Sequence, residues 1–244
     1  MHAPIAITYF GSGFDSIYNA GSVTLRRRFA GNTFYRVNYT YAKSIDNGSN
    51  LQGGGAGGYA GAQDARNIKL ERGRSDFDYG HVFTMSYSFV APWKRHLLVR
   101  GWQVAGTGIA RTGAPLTPQL SNVNLNLGEA TRPNRIAKGT LPHPTVNRWF
   151  DLSAFPPVPL GAFGYGNSGR GILDGPGSAA FNLALYRNFT VRESGKLQFR
   201  WEAFNALNHT NLGVPVVNVN APNAATIQTA GASRQMQVAL KLSF

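Results

Sequence analysis

The chain has 244 residues and no cysteine, which excludes disulfides, thiolate metal sites and cysteine nucleophiles. Charged residues make up 14%, against a usual share of roughly 25%, while aromatics reach 12% and glycines number 29, a balance that suits an aromatic-rich β protein better than a soluble helical enzyme. The formal net charge of +13 raises a nucleic-acid reading, but many basic residues stand at strand ends and turns (Arg26, Arg27, Arg28, Lys94, Arg95, Arg192, Lys196), which fits charge anchored at a membrane edge and no nucleic-acid groove.

No apolar run is long enough for a transmembrane helix. The start, M-H-A-P-I-A-I-T-Y-F, lacks the pattern of a signal peptide, so an exported chain of this kind is expected to be a fragment of a longer product. Residues 3–10 read as the tail of a strand, broken by Gly11 to Ser16. A long alternation follows from Ile17 to Phe29, with Val23, Leu25 and Phe29 on one face. Ala30-Gly31-Asn32-Thr33 is a turn by composition. From Phe34 to about Ser44, Tyr35, Val37, Tyr39 and Tyr41 oppose Arg36, Asn38 and Thr40, completing a hairpin.

Periodicity is lost from Ile45 to about Tyr79, where Gly53 to Gly58 is of low complexity. It returns at Val82 to Val90, with Phe83, Met85, Tyr87 and Phe89 against Thr84, Ser86 and Ser88. A break at Ala91 to His96 precedes a strand from Leu97 to about Thr112. Gly113 to about Ala179 is a second irregular region, rich in Pro, Gly and Asn. Strands return at Ala180 to Thr190 and, after the turn Arg192 to Gly195, at Lys196 to Ala206, where Leu197, Phe199, Trp201 and Ala203 oppose Gln198, Arg200 and Glu202. Asn208 to Ser233 is a third irregular region. The last eleven residues alternate to the final atom: Met236, Val238, Leu240, Leu242 and Phe244 on one face, Gln235, Gln237, Ala239, Lys241 and Ser243 on the other.

Connections alternate short and long. Compact soluble domains seldom carry several long structureless loops; transmembrane barrels do, with short periplasmic turns at one end and long extracellular loops at the other. The expected fold is therefore all-β, an antiparallel transmembrane β-barrel segment of about seven or eight strands. The turns at 30–33, 91–96 and 192–195 become periplasmic, and the loops near 45–79, 113–179 and 207–233 extracellular. The apolar parity meets lipid. The polar parity, including Arg200, Glu202, Gln235, Gln237 and Lys241, faces a wet lumen. Phe29, Phe34, Phe89, Trp93, Phe189 and Phe244 are assigned to the interfacial aromatic girdle.

Seven stretches carry a family resemblance: Y-N-A-G-S-V-T-L-R-R-R-F (18–29), Y-T-Y-A-K-S-I-D (39–46), R-N-I-K-L-E-R-G-R-S-D-F-D-Y-G-H (66–81), R-G-W-Q-V-A-G (100–106), F-G-Y-G-N-S-G-R-G-I-L-D-G-P-G (163–177), L-Q-F-R-W-E-A-F-N-A-L-N-H-T-N (197–211) and the terminal R-Q-M-Q-V-A-L-K-L-S-F. Together they resemble the C-terminal part of the barrel of TonB-dependent outer-membrane receptors, of the Oar-like group with a carboxypeptidase-regulatory-like domain. The resemblance implies a 22-stranded barrel of which residues 1–244 are the last third or so, without the plug domain and the TonB-contacting box. It implies a part in importing a large nutrient, contact with TonB only through that plug, and a terminal signal at Met236, Val238, Leu240, Leu242 and Phe244 read by the barrel-assembly machinery.

Gly164-Tyr165-Gly166-Asn167-Ser168-Gly169 spells a dinucleotide fingerprint, but Gly171, Gly175, Pro176 and Gly177 follow where a helix would start, so these glycines are assigned to a loop at the barrel mouth. Glu71, Asp76 and Asp78 lie among Arg66, Lys69, Arg72 and Arg74; pairing with these neighbours, and pinning the loop as it re-enters a strand, is expected ahead of cation binding. Asn205, Asn208 and His209 mark a strand exit, asparagine being suited to left-handed backbone. The five histidines have no ligand spacing and no nucleophile motif stands out, so no metal, cofactor or enzyme activity is expected. Two other readings remain: a small passive outer-membrane barrel or adhesin closed from eight strands, and a soluble basic β domain binding glycan or nucleic acid.

Overall fold

A computed structural model describes residues 12–49, 62–64, 66–92, 100–120, 131–156, 165–191 and 195–244. Twelve strands occur among them: β1 (Ser16–Arg28), β2 (Phe34–Asp46), β3 (Gly73–Arg74), β4 (His81–Val90), β5 (Trp102–Arg111), β6 (Pro115–Leu116), β7 (Thr140–Thr145), β8 (Arg148–Phe150), β9 (Leu173–Asp174), β10 (Ser178–Val191), β11 (Gly195–Phe204) and β12 (Gln235–Ser243). Seven long strands form one antiparallel meander in the order β1-β2-β4-β5-β10-β11-β12, and β3 adds to β2. Among the described residues β1 pairs only with β2 and β12 only with β11, so the sheet is open at both edges.

The register shows why the alternation matters. In an antiparallel pair, opposed residues point to the same face. One row across the wall reads Arg28, Phe34, Ser88, Ala105, Ala184, Glu202, Gln237; its neighbour reads Arg27, Tyr35, Tyr87, Gly106, Leu183, Ala203, Met236. Every strand contributes its polar parity to one face and its apolar parity to the other. A one-residue slip in any pair would turn that strand inside out. The apolar face is left bare: Val23, Leu25, Phe89, Phe189, Met236, Val238, Leu240 and Leu242 are all exposed. Water does not tolerate apolar surface of that extent on a monomer, whereas lipid does.

Two expectations need correction here. Phe34 lies on the polar parity, opposite Arg28 and Ser88, because the register of the first hairpin places it there; it is not on the aromatic outer face. Phe29, past the end of β1, does sit beside Tyr35 with the Arg27 guanidinium 4.6 Å from its ring centroid. The expected strand at residues 3–10, the glycine run 53–58, Trp93 and most of the breaks at 91–96 and 192–195 lie outside the described residues.

The second correction concerns the long connections. The regions 113–179 and 208–233 are not structureless. They pair β6 with β9 and β7 with β8, and they share a hydrophobic core of Leu116, Phe150, Ala154, Phe155, Leu173, Val217 and Ala225, flanked by Trp149, Ile172 and Val219. Backbone bonds stitch the two regions together: Gln119 N–H to Val217 O at 2.9 Å, Trp149 N–H to Ala225 O at 2.8 Å and Ile227 N–H to Val146 O at 2.8 Å. The reason is the two-faced wall. Its apolar side chains point outward, so the sheet offers the loops no core to join, and their apolar residues bury against one another. A cap results at the end where β2, β5 and β11 finish; the opposite end carries the short hairpin turns.

Candidate functional site

The cap is fastened to the wall by buried charge. Arg170, whose side chain is 2% exposed, inserts at the top of β2. It donates from Nη2 to the Asp46 backbone oxygen at 2.6 Å and to Asp46 Oδ1, from Nη1 to Ser49 Oγ at 2.8 Å, and from Nε to the Glu71 backbone oxygen at 2.8 Å. Its Nη1 also lies 4.0 Å from Asp76 Oδ1. A guanidinium so enclosed is stable only with its donors occupied, since desolvation of an unpaired charge costs several kcal/mol. Beside it, Arg132 Nη1 donates to Glu71 Oε2 at 2.5 Å, both side chains 2% exposed, and Gln63 bridges from its backbone N–H to Glu71 Oε1 at 2.9 Å while accepting from Arg132 N–H at 2.7 Å. Arg74 joins Asp78 at 2.8 Å to Asp174 at 2.5 Å, and Asp78 Oδ1 accepts the Ser44 backbone N–H at 2.7 Å.

Close backbone approach explains the glycines here. A Cβ on Gly166 would lie 2.1 Å from the Arg132 backbone oxygen, and one on Gly73 would lie 2.5 Å from the Arg170 backbone oxygen. The G-x-G-x-x-G lettering thus serves loop packing, and no helix follows it.

The predicted loop cluster divides. Glu71, Asp76 and Asp78 are buried, but Glu71 pairs with Arg132 and Asp76 faces Arg170, residues some 60 to 100 positions away, whereas Asp78 takes the neighbouring Arg74. Arg66 pairs with Asp64 at 3.1 Å on the surface, and Arg72 is exposed. Arg132, Arg170 and Asp174 are the members that local spacing missed. The one clue was an isolated arginine inside the glycine-rich stretch 163–177.

Asp76 is the strained member. Its Oδ2 is buried without a hydrogen-bond partner. Burial, relieved in part by Arg170 and reinforced by the Asp46 charge, pushes its carboxyl up to about 6. The fold therefore holds the Asp76 proton more tightly than the unfolded chain does. Its charge costs stability, a cost absent below about pH 4 and complete above about pH 6. Asp76→Asn should remove that cost, stabilising the cap at pH 7 by on the order of 2 kcal/mol and abolishing the Asp76 share of the gain seen between pH 7 and pH 4.5. Urea titrations followed by protease protection of the loops, run at both pH values, check this.

The polar face of the wall holds the second constellation. It is concave, with a groove of about 1000 Å³ running from Arg28, Asn32 and Phe34 past Gln103 and Tyr186 to Gln198 and Glu202. Glu202 accepts from Arg200 Nε at 2.7 Å, from the Tyr186 hydroxyl at 3.3 Å and from Gln237 Nε2. The structure thus brings Arg200 and Glu202 of β11 together with Gln237 of β12 and Tyr186 of β10. Gln235 and Lys241 share their face, opposite Phe204 and Gln198, without joining the network. Met236, Val238, Leu240, Leu242 and Phe244 line the exposed apolar side of β12 and the chain end.

At the exit of β11, Asn205 and Asn208 adopt positive φ values of 48° and 52°. Asn205 Nδ2 donates to the His209 backbone oxygen at 2.9 Å and to the Ala232 backbone oxygen at 3.2 Å, and Asn208 Oδ1 accepts from Arg234 N–H at 2.9 Å, closing the base of the third loop. No group of three metal-ligating side chains occurs among the described residues.

Comparison with protein families matches residues 4–237 to the outer membrane beta barrel domain. No curated protein and no solved structure matches the chain.

Proposed function

The chain belongs to the outer membrane beta barrel domain family and resides in the cell outer membrane; from that premise we propose that it forms the C-terminal wall of a TonB-dependent receptor of the Oar-like group. In that role the complete protein imports a large nutrient, gated by a plug and driven through it by TonB. The loop cap faces outward, the hairpin turns face the periplasm, the apolar face meets the bilayer, and the terminal strand is presented to the barrel-assembly machinery. The reading assigns the wall no catalytic chemistry.

Strand number supports it over a barrel closed from the described strands alone. The seven-stranded antiparallel meander leaves β1 and β12 running in the same direction, so among the described residues these edges do not close on one another and call for further strands. Outer-membrane residence weighs against the soluble glycan- or nucleic-acid-binding alternative.

No cysteine occurs among the 244 residues, so any bridge within this stretch comes from introduced pairs. Cysteine pairs joining the strand expected at residues 3–10 to β12, such as Ala6→Cys or Thr8→Cys with Gln237→Cys or Ala239→Cys, bridge only when their Cα atoms come within about 7 Å. In the complete gene product, oxidised in outer membranes, no intramolecular bridge should form, because other strands separate the two edges. A bridge would establish the small closed barrel instead. TonB should co-purify with the same product after cross-linking in energised cells; its absence would overturn the TonB part of the reading.

A further inference from the structure

The polar face carries an imbalance that the described residues do not resolve. Arg26 lies directly opposite Arg36, and Arg28 follows two positions along on the same face. Opposed side chains in an antiparallel pair stand about 5 Å apart at Cβ, and like charges there repel. All three arginines are exposed. The carboxylates that form ion pairs are engaged elsewhere: Asp46 and Asp76 with Arg170, Asp64 with Arg66, Glu71 with Arg132, Asp78 and Asp174 with Arg74, Asp151 with Arg148, Glu202 with Arg200. None of them pairs with Arg26, Arg28 or Arg36. Elsewhere on the wall the register sets arginine against uncharged partners, as with Tyr186 and Ala239 beside Arg200.

We infer that Arg26, Arg28 and Arg36 form an oxyanion site for a phosphate-bearing small solute on the wet face of the wall. Guanidinium forks match phosphate oxygens in paired hydrogen bonds. Two opposed cations and a third beside them call for a dianionic group, which a phosphate monoester supplies and a single carboxylate does not. Arg28 also lines the 1000 Å³ groove, whose Phe34, Tyr186, Gln103 and Gln198 offer aromatic and amide surface to the remainder of such a solute. That volume is at the upper end of small-molecule sites. Rings of Arg and Lys are also how anion- and phosphate-selective pores choose their solute. The site rests on the outer-membrane reading only in requiring that this face be wet.

The test uses full-length protein purified in detergent, with inorganic phosphate as the probe at low ionic strength. Phosphate should bind saturably and raise the thermal unfolding midpoint. Arg26→Gln and Arg36→Gln should each weaken binding roughly tenfold, while Arg111→Gln, a cation at the other end of the same face, should leave it unchanged. Both triad variants remove a like-charge opposition, so they should fold at least as well without phosphate, as circular dichroism will report. No saturable phosphate binding, equal loss in Arg111→Gln, or binding of an oligoglutamate peptide with none of phosphate would each overturn the proposal. Failure of TonB co-purification with phosphate binding intact would remove the receptor reading and leave this site standing.

Discussion

Replacing Arg170 with alanine should release the loop cap from the wall. The substitution leaves the Asp46 and Asp76 carboxylates buried without their cation and removes one donor each from the Glu71 backbone oxygen and from Ser49 Oγ, which keeps the Asp76 N–H at 3.1 Å. Removing one partner of a buried pair costs about 3–5 kcal/mol, because the remaining charge is stranded. Arg170→Lys should restore little, since one ammonium cannot reproduce bonds made from Nε, Nη1 and Nη2. Arg66→Ala is the control: its pair with Asp64 is at the surface, with the arginine side chain 83% exposed, and exposed pairs contribute under about 1 kcal/mol. Limited proteolysis within 131–156 should become fast in Arg170→Ala and stay slow in Arg66→Ala. Strand content by circular dichroism should be unchanged in both, because the wall pairing does not depend on the cap. Equal protection of the loops in Arg170→Ala and the wild type would show that the cap's apolar core alone holds it down.

Leu240→Arg should impair insertion where Gln237→Arg does not. Leu240 lies on the bare apolar face of β12, 67% exposed and opposite Phe199. A charge on the lipid side costs roughly 2–4 kcal/mol near the bilayer midplane and falls to about 0–1 near the interfaces. Gln237 points to the opposite face and already donates to Glu202, so an arginine there meets a carboxylate in a wet setting. Folding yield into lipid vesicles and the urea midpoint of the inserted protein measure the difference. Equal losses for the two variants would count against the assignment of faces, and a larger loss for Gln237→Arg would reverse it.

The wall was legible in one dimension because it is built from a period of two. Each of the seven long strands reads as an alternation, and their pairing follows chain order, so no long-range partner had to be guessed. The exceptions were local. The run that starts at Leu97 in the sequence reading begins in the described structure at Trp102, and Phe34 belongs to the wet face rather than the girdle. One residue of parity at a hairpin end decides the second point, and composition does not reveal it.

The cap was not legible, for a different reason. Glu71, Asp76 and Asp78 announce a charge cluster within a few positions, and the neighbouring arginines look like its natural partners. Only Arg74 takes that part, with Asp78. The cations that neutralise the other two come from Arg132 and Arg170, placed by two loops folding over one another. The apolar residues Leu116, Phe150, Phe155, Leu173 and Val217 follow no period, since they belong to irregular backbone whose packing is set by contacts between loops.

The sequence by itself thus determined the all-β class, the meander, the two faces of each strand and the outer-membrane setting, because strand geometry converts alternate residues into opposite faces without help from elsewhere. The tertiary structure alone decided the partners of the buried carboxylates, the core of the cap, and the opposition of Arg26 to Arg36. Those depend on which residues meet across strands and loops, and an arginine in the chain carries no mark of what will stand opposite it.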